Sequence, residues 1–133
     1  MPFLIDSDWV IDHLAGAPRA RQLLEELAEE GIAVSAITYM EAYQGVLRSP
    51  DAARAEVRWA AFASGIPVLA FSTAEARRCA ALREALRRTG RRVGARALDL
   101  LIAATALEHG LTLVTRNRDD YRDIPGLNLF QGR

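Results

Sequence analysis

The chain contains no lysine; all 17 of its basic residues are arginine. Chemistry that needs a side-chain amine, such as Schiff-base formation or a lysine-dependent phosphate site, is therefore excluded. It has a single cysteine, Cys79, so no intramolecular disulfide can form, and no Cys/His spacing of a zinc site occurs. A reducing, cytoplasmic compartment is the corresponding expectation. No apolar run approaches the ~18 residues of a membrane helix, and Phe3-Leu4-Ile5 is too short and uncharged for a signal peptide. There is no net charge either: 17 acidic residues balance the arginines, so any attraction to nucleic acid has to be local.

What is present is ordinary globular composition, with half of the 133 residues hydrophobic, which predicts one domain over residues 1–133. Short apolar runs alternate with helical spacing. Phe3-Leu4-Ile5, Ile32-Ala33-Val34, Pro67-Val68-Leu69 and Leu111 to Val114 read as strands, with Asn128-Leu129-Phe130 a possible fifth. Between them, helices are predicted from Trp9 to Leu14, Arg19 to Glu30, Ser35 or Thr38 to Leu47, Asp51 to Ser64, Ser72 to about Thr89, and Leu98 to His109. A loop is predicted around Gly90 to Gly94. Such alternation predicts an α/β fold with a mostly parallel central sheet of four to five strands, helices on both faces, and ligands bound beyond the C-terminal strand ends.

Those strand ends carry oxygen ligands. Asp6 follows the first strand, Glu41 lies about one turn into the helix after the second, Asp99 opens the helix before the fourth, and Thr115 to Asp120 follows that strand. Hard divalent cations such as Mg2+ or Mn2+ take oxygen ligands, so this inventory suits magnesium. Each residue also has a plainer role. Asp6 and Asp8 can cap a helix, Thr38 with Glu41 has the capping-box spacing, and Asp99 can complement a helix dipole. Against these stands the apolar surround of Asp99, from Ala97 to Ala104, because a buried carboxylate needs a partner.

The segments FLIDSDWVIDHL, VSAITYMEAYQGVL, ALDLLIAATALEHGLTLVTRNRDDY and IPGLNLF, taken in order, resemble the PIN-domain ribonucleases and, among them, the VapC-type toxins of toxin-antitoxin operons. The resemblance implies a three-layer α/β/α fold and metal-dependent hydrolysis of RNA phosphodiesters by water, leaving 5′-phosphate and 3′-hydroxyl ends. It makes Asp6, Glu41 and Asp99 the metal-binding acids, with Thr115 as a hydroxyl near the site. The further acid of the family aligns with Asn117 or with Asp120, beside Asp119. Relatives commonly have Asp-Thr-Asn where this chain has Asp6-Ser7-Asp8. The resemblance also implies a homodimer and a VapB-type antitoxin as partners, besides the RNA substrate.

The most lopsided charge lies in residues 77–96, where eight arginines accompany one acid, Glu84. A solvated helix face explains part of this run, while Arg91, Arg92 and Arg96, with Arg116, are candidate RNA-phosphate ligands. His13, His109 and Cys79 read as structural. Trp9, Tyr39, Tyr43, Trp59 and Phe62 fall at helical spacing and read mostly as core or as a partner groove. Two rivals remain open: a haloacid-dehalogenase-like phosphohydrolase, which Asp6-Ser7-Asp8 and Asp119-Asp120 resemble, and a catalytically weak PIN-like binding module.

Overall fold

Strand β1 (Phe3–Ile5) is the centre of a five-stranded sheet in this computed structural model, which describes residues 2–132. β2 (Ile32–Ser35) lies on one side with β3 (Val68–Leu69) beyond it; β4 (Thr112–Val114) and β5 (Asn128–Leu129) lie on the other. Every pairing is parallel. A parallel sheet is covered on both faces, so its strands read as continuous apolar runs rather than alternating ones. β1 and β2 are accordingly buried at every position.

Alternation survives in which core each side chain enters. Leu4, Ala33 and Leu113 pack with Cys79, Leu82 and Leu86 of α5 (Thr73–Arg88) and with Leu100 and Ala103 of α6 (Ala97–His109). Their strand neighbours Phe3, Ile5, Ile32, Val34 and Val114 face the opposite layer. There they meet Val10 of α1 (Ser7–Leu14), Leu24 and Leu27 of α2 (Pro18–Ala28), Val46 of α3 (Ala36–Arg48) and Trp59 of α4 (Ala52–Ala63). The result is the three-layer α/β/α sandwich expected from the alternation.

Local chemistry sets the helix ends. Ser72 and Glu75 form a complete capping box at α5, and Gly110 adopts the left-handed conformation (φ 65°) that ends α6. At α3 the cap is Ser35, whose side chain accepts from the Thr38 backbone at 3.0 Å. Thr38 is therefore not the cap, and the capping-box role for Glu41 falls away. Two short elements have no counterpart in the sequence expectations: a 3-10 turn at Gly94–Arg96 and the one-turn helix α7 (Arg118–Tyr121). Among the described residues, no helix is long and apolar enough to cross a membrane.

Candidate active site

In the order β3-β2-β1-β4-β5, the chain leaves β1 towards one edge and returns on its other side. The crevice of such a sheet opens where that reversal occurs, beyond the C-terminal ends of β1 and β4. Asp6 directly follows β1 and Thr115 directly follows β4, so both stand at that point. The Asp6 backbone donates to the Val114 carbonyl at 2.9 Å, tying the two strand ends together.

Asp6 is only 5% exposed. Its Oδ1 accepts from the Ser7 backbone at 2.8 Å, making it the cap of α1, while its Oδ2 accepts from Thr115 Oγ1 at 2.7 Å. Tyr121 spans the gap to the second acid. Its hydroxyl lies 3.4 Å from Asp6 Oδ2 and 3.2 Å from Asp99 Oδ1, and its one proton can satisfy only one of them at a time. Asp99 sits in the first turn of α6 and is half-buried rather than enclosed, because Ala97 and Leu98, which begin its apolar surround, are exposed.

Glu41 reaches the site through hydroxyls. Ser7 Oγ donates to Glu41 Oε1 at 2.5 Å, and Ser7, Thr38 and Ser35 form a buried hydroxyl chain beneath it. The remaining candidates divide. Asn117 is exposed, and its backbone donates to Thr115 Oγ1 at 3.1 Å. Asp120 raises the pKa of Asp99 by its charge, which places it on the site side. Asp119 pairs with Arg122 at 2.7 Å with its side chain 84% exposed, so it faces solvent. The acidic pair that the phosphohydrolase rival needs is thus not gathered beside Asp6.

Electrostatically the site gathers three carboxylates whose pKa values are all raised. Burial pushes the Asp6 carboxyl up to about 6, and the charges of Asp8 and Asp99 add to the rise against the lowering effect of the Thr115 and Ser7 hydrogen bonds. Burial raises Asp99 as well, partly offset by Tyr121 and by Arg96. Asp8 is likewise raised by burial, although the backbones of Trp9 and Arg116 donate to it at 2.7 and 3.1 Å. Tyr121 is pushed well above the ordinary phenol range by burial and by the two carboxylates. It stays a neutral donor.

Among the described residues, no three His, Cys, Asp or Glu side chains converge closely enough to enclose a metal ion. The donor set nevertheless fits a hard divalent cation, which commonly takes one or two protein carboxylates and completes its shell with water and substrate phosphate. Asp6 and Asp99 are two such carboxylates, sharing the Tyr121 hydroxyl, and among the described residues Asp6 meets the Thr115 hydroxyl but no guanidinium. A cation there would offset the charge that burial opposes.

The arginines are distributed unevenly. Arg87 and Arg88 pair with Glu84, and Arg78 pairs with Glu108. Arg96 grips Asp123 with two 2.8 Å hydrogen bonds and donates to the Asp120 carbonyl at 2.5 Å, while Arg91 approaches Asp123 at 3.3 Å. Arg92 is exposed. Arg116 stacks 4.3 Å over the Trp9 ring and pairs with Asp12. His109 bonds Glu75 at 2.9 Å, Cys79 is buried in the core, and Tyr39, Tyr43, Trp59 and Phe62 form one aromatic cluster on α3 and α4.

Residues 3–127 match the PIN domain family. The chain belongs to the PIN domain family. This PIN domain is 29% identical to the tRNA(fMet)-specific endonuclease VapC of Shigella flexneri, over 96% of this chain and 95% of that protein. Two solved structures are similar at 28% identity and a TM-score of 0.87. One is VapBC2 from Rickettsia felis bound to a DNA fragment from their promoter, with 98% of both chains covered. The other is DNA-bound VapBC from Salmonella typhimurium, with 98% of this chain and 97% of that chain covered. The family match displaces the phosphohydrolase rival.

Sequence reasoning did not find Tyr121, Ser7 or the Ser35–Thr38 pair. Tyr121 is buried between the two acids, yet 115 residues separate it from Asp6. The run Asp119-Asp120-Tyr121 carries no periodicity to draw attention to it. Ser7 and Thr38 are short hydroxyl residues whose role exists only once α1 and α3 are packed together.

Proposed function

We propose that this PIN domain is an endoribonuclease of the VapC type, the toxin of a toxin-antitoxin pair, which hydrolyses RNA phosphodiesters with Mg2+ or Mn2+ held by Asp6 and Asp99. The observation that carries this reading is the buried Asp6 and the half-buried Asp99 at the sheet's reversal point, bridged by the Tyr121 hydroxyl, with Asp6 raised to about 6. Charge left unrelieved in this way is stabilised by a cation and is otherwise a cost.

When bound, the cation supplies Lewis acidity, activation of water and neutralisation of charge developing on the phosphate. The chain's own residues do the placing. Thr115 fixes the Asp6 carboxylate through Oδ2, and the Ser7 backbone fixes Oδ1, so Asp6 presents one orientation. Tyr121 holds Asp99 towards Asp6 as a neutral donor. Ser7 orients Glu41, which stands ready as a third acid, and Asn117 or Asp120 completes the polar rim. Of the candidate phosphate ligands, Arg92 is exposed and Arg116 lies beside the site, whereas Arg91 and Arg96 would have to share their charge with Asp123 to meet an RNA phosphate.

By the same reading the partners are an RNA substrate, a VapB-type antitoxin and a second copy of the chain in a cytoplasmic homodimer. The Shigella flexneri relative acts on tRNA(fMet), which makes that RNA the first substrate to try. The uncharged Asn117 favours one alternative, a PIN module that binds without cutting.

The test is incubation of purified protein with end-labelled tRNA(fMet) and total RNA, in magnesium or manganese against EDTA, alongside Asp6→Asn and Asp99→Asn. Discrete metal-dependent cuts with 5′-phosphate ends, lost in both variants, support the nuclease. Metal binding without cleavage would move the binding module ahead, and variants that cut like wild type would remove Asp6 and Asp99 from the catalytic site.

A further inference from the structure

A cavity of about 560 Å³ lies against the candidate active site, between α1, α2, the segment after β4 and the segment after β5. Its volume is in the range of ligand-binding clefts. Thr115 forms the seam, because its side chain lines the groove while its hydroxyl donates to Asp6 at 2.7 Å. Asp6 and Asp99 are outside the lining, so the groove adjoins the candidate site at Thr115.

The lining has two kinds of group. Arg19, Arg116 and Arg118 contribute three guanidinium groups against one lining carboxylate, Glu26. Arg116 is shared with Asp12, outside the lining. Among the described residues, Arg19 and Arg118 have no carboxylate within salt-bridge distance. Arg118 instead donates to the neutral Gln131 Oε1 at 2.9 Å, which orients it without cancelling its charge. Trp9 and Phe130 supply aromatic wall, and the Arg116 guanidinium carbon lies over the Trp9 ring, 4.3 Å from its centroid. Guanidinium planes and aromatic rings are the surfaces on which unpaired bases stack, while arginines take the phosphates between them.

This distribution is the reverse of the pattern in residues 77–96. There the arginines are abundant but Arg78, Arg87, Arg88, Arg91 and Arg96 are paired with acids. The α2 groove has fewer arginines, and among the described residues two of them pair with no acid.

We propose that this groove, carried by Arg19, Arg116 and Arg118 over the Trp9 and Phe130 wall, seats the unpaired RNA segment adjoining the phosphodiester that is cut. The proposal rests on the nuclease reading for the identity of the strand, and its binding test is independent of cleavage. A fluorescein-labelled, single-stranded oligoribonucleotide of mixed sequence is titrated in EDTA, across a range of salt, against wild type, Arg19→Ala/Arg118→Ala, Arg19→Glu and the α5 control Arg87→Ala.

The double variant is expected to bind on the order of tenfold more weakly, with the salt slope reduced by ~1.4 from two lost phosphate contacts on a single strand. Arg19→Glu should fall further, and Arg87→Ala should match wild type. In cleavage assays the double variant should raise KM and leave kcat close to wild type, with circular dichroism confirming its fold. Equal binding by wild type and the groove variants would overturn the proposal, as would a loss confined to kcat. So would a groove that binds no oligonucleotide and is instead closed by an acidic antitoxin segment. If wild type binds in an Arg19- and Arg118-dependent way but cuts nothing, the groove stands and the nuclease reading fails.

Discussion

Asp6 and Glu75 are carboxylates of nearly equal exposure, 5% and 4%, and they have opposite fates. Glu75 is surrounded by donors. The Ser72 side chain and backbone and His109 all bond it, and the hydrogen bonds hold its carboxyl down at about 2. Asp6 also accepts hydrogen bonds, but desolvation outweighs them, Asp8 and Asp99 add like charge, and its carboxyl rises to about 6. Surface exposure alone therefore does not separate a structural acid from a candidate catalytic one. What separates them is the balance: hydrogen bonds outweigh desolvation at Glu75, while desolvation and like charge outweigh them at Asp6.

Asp6→Asn breaks the contrast most strongly. A rise of about two units, at 1.36 kcal/mol each, means that ionised Asp6 costs the metal-free fold about 3 kcal/mol at neutral pH. Because the folded pKa is raised, that cost is absent below the unfolded value near 4, grows as pH rises towards 6, and is complete above it. Asp6→Asn should thus raise the unfolding temperature in EDTA at pH 7.5 while abolishing cleavage, and the gain should shrink to nothing below pH 4. An Asp6→Asn protein no more stable than wild type at pH 7.5 would show that the site carries no such strain.

The next effect concerns what holds the two acids in place. Tyr121→Phe and Thr115→Val each remove a hydroxyl touching Asp6, and supporting contacts of this kind are worth about 10- to 100-fold in metal affinity. Calorimetric titration with manganese should show that loss in both variants, with stability changed by only about 1 kcal/mol for the neutral hydrogen bond. Unaltered affinity would remove both residues from the site.

Glu75→Gln should have the smallest effect, and its pH dependence should run the other way. The depressed pKa of Glu75 stabilises the fold above about pH 4.5 and is lost as pH falls towards 2. The variant should melt below wild type at neutral pH, converge with it in acid, and cut RNA at an unchanged rate. Reduced kcat in Glu75→Gln would mean that the two carboxylates are not separable as argued.

The same contrast marks how far the sequence could be read. Asp6 and Asp99 were visible because an acid at the end of an apolar run, or inside an apolar helix, is out of place locally. The parallel sheet was visible for the same reason, since runs such as Phe3-Leu4-Ile5 keep no polar face. Tyr121 was not visible, because its role depends on α7, a single turn too short to carry a period, meeting β1 and α6. Partners were invisible too. The arginines of residues 77–96 read as surplus charge until Glu108 and Asp123 were found facing them, whereas Arg19 and Arg118, scattered in sequence, drew no attention until folding placed them in one groove.

The position of β1 has one more consequence. β1 precedes both of its neighbours in the chain and can pair with β2 first, yet its other flank stays open until β4 has been made, and only then do Thr115 and Tyr121 reach Asp6. A chain in which only β1 to β3 have formed therefore carries Asp6 and Glu41 without the hydroxyls of Thr115 and Tyr121 that aim Asp6.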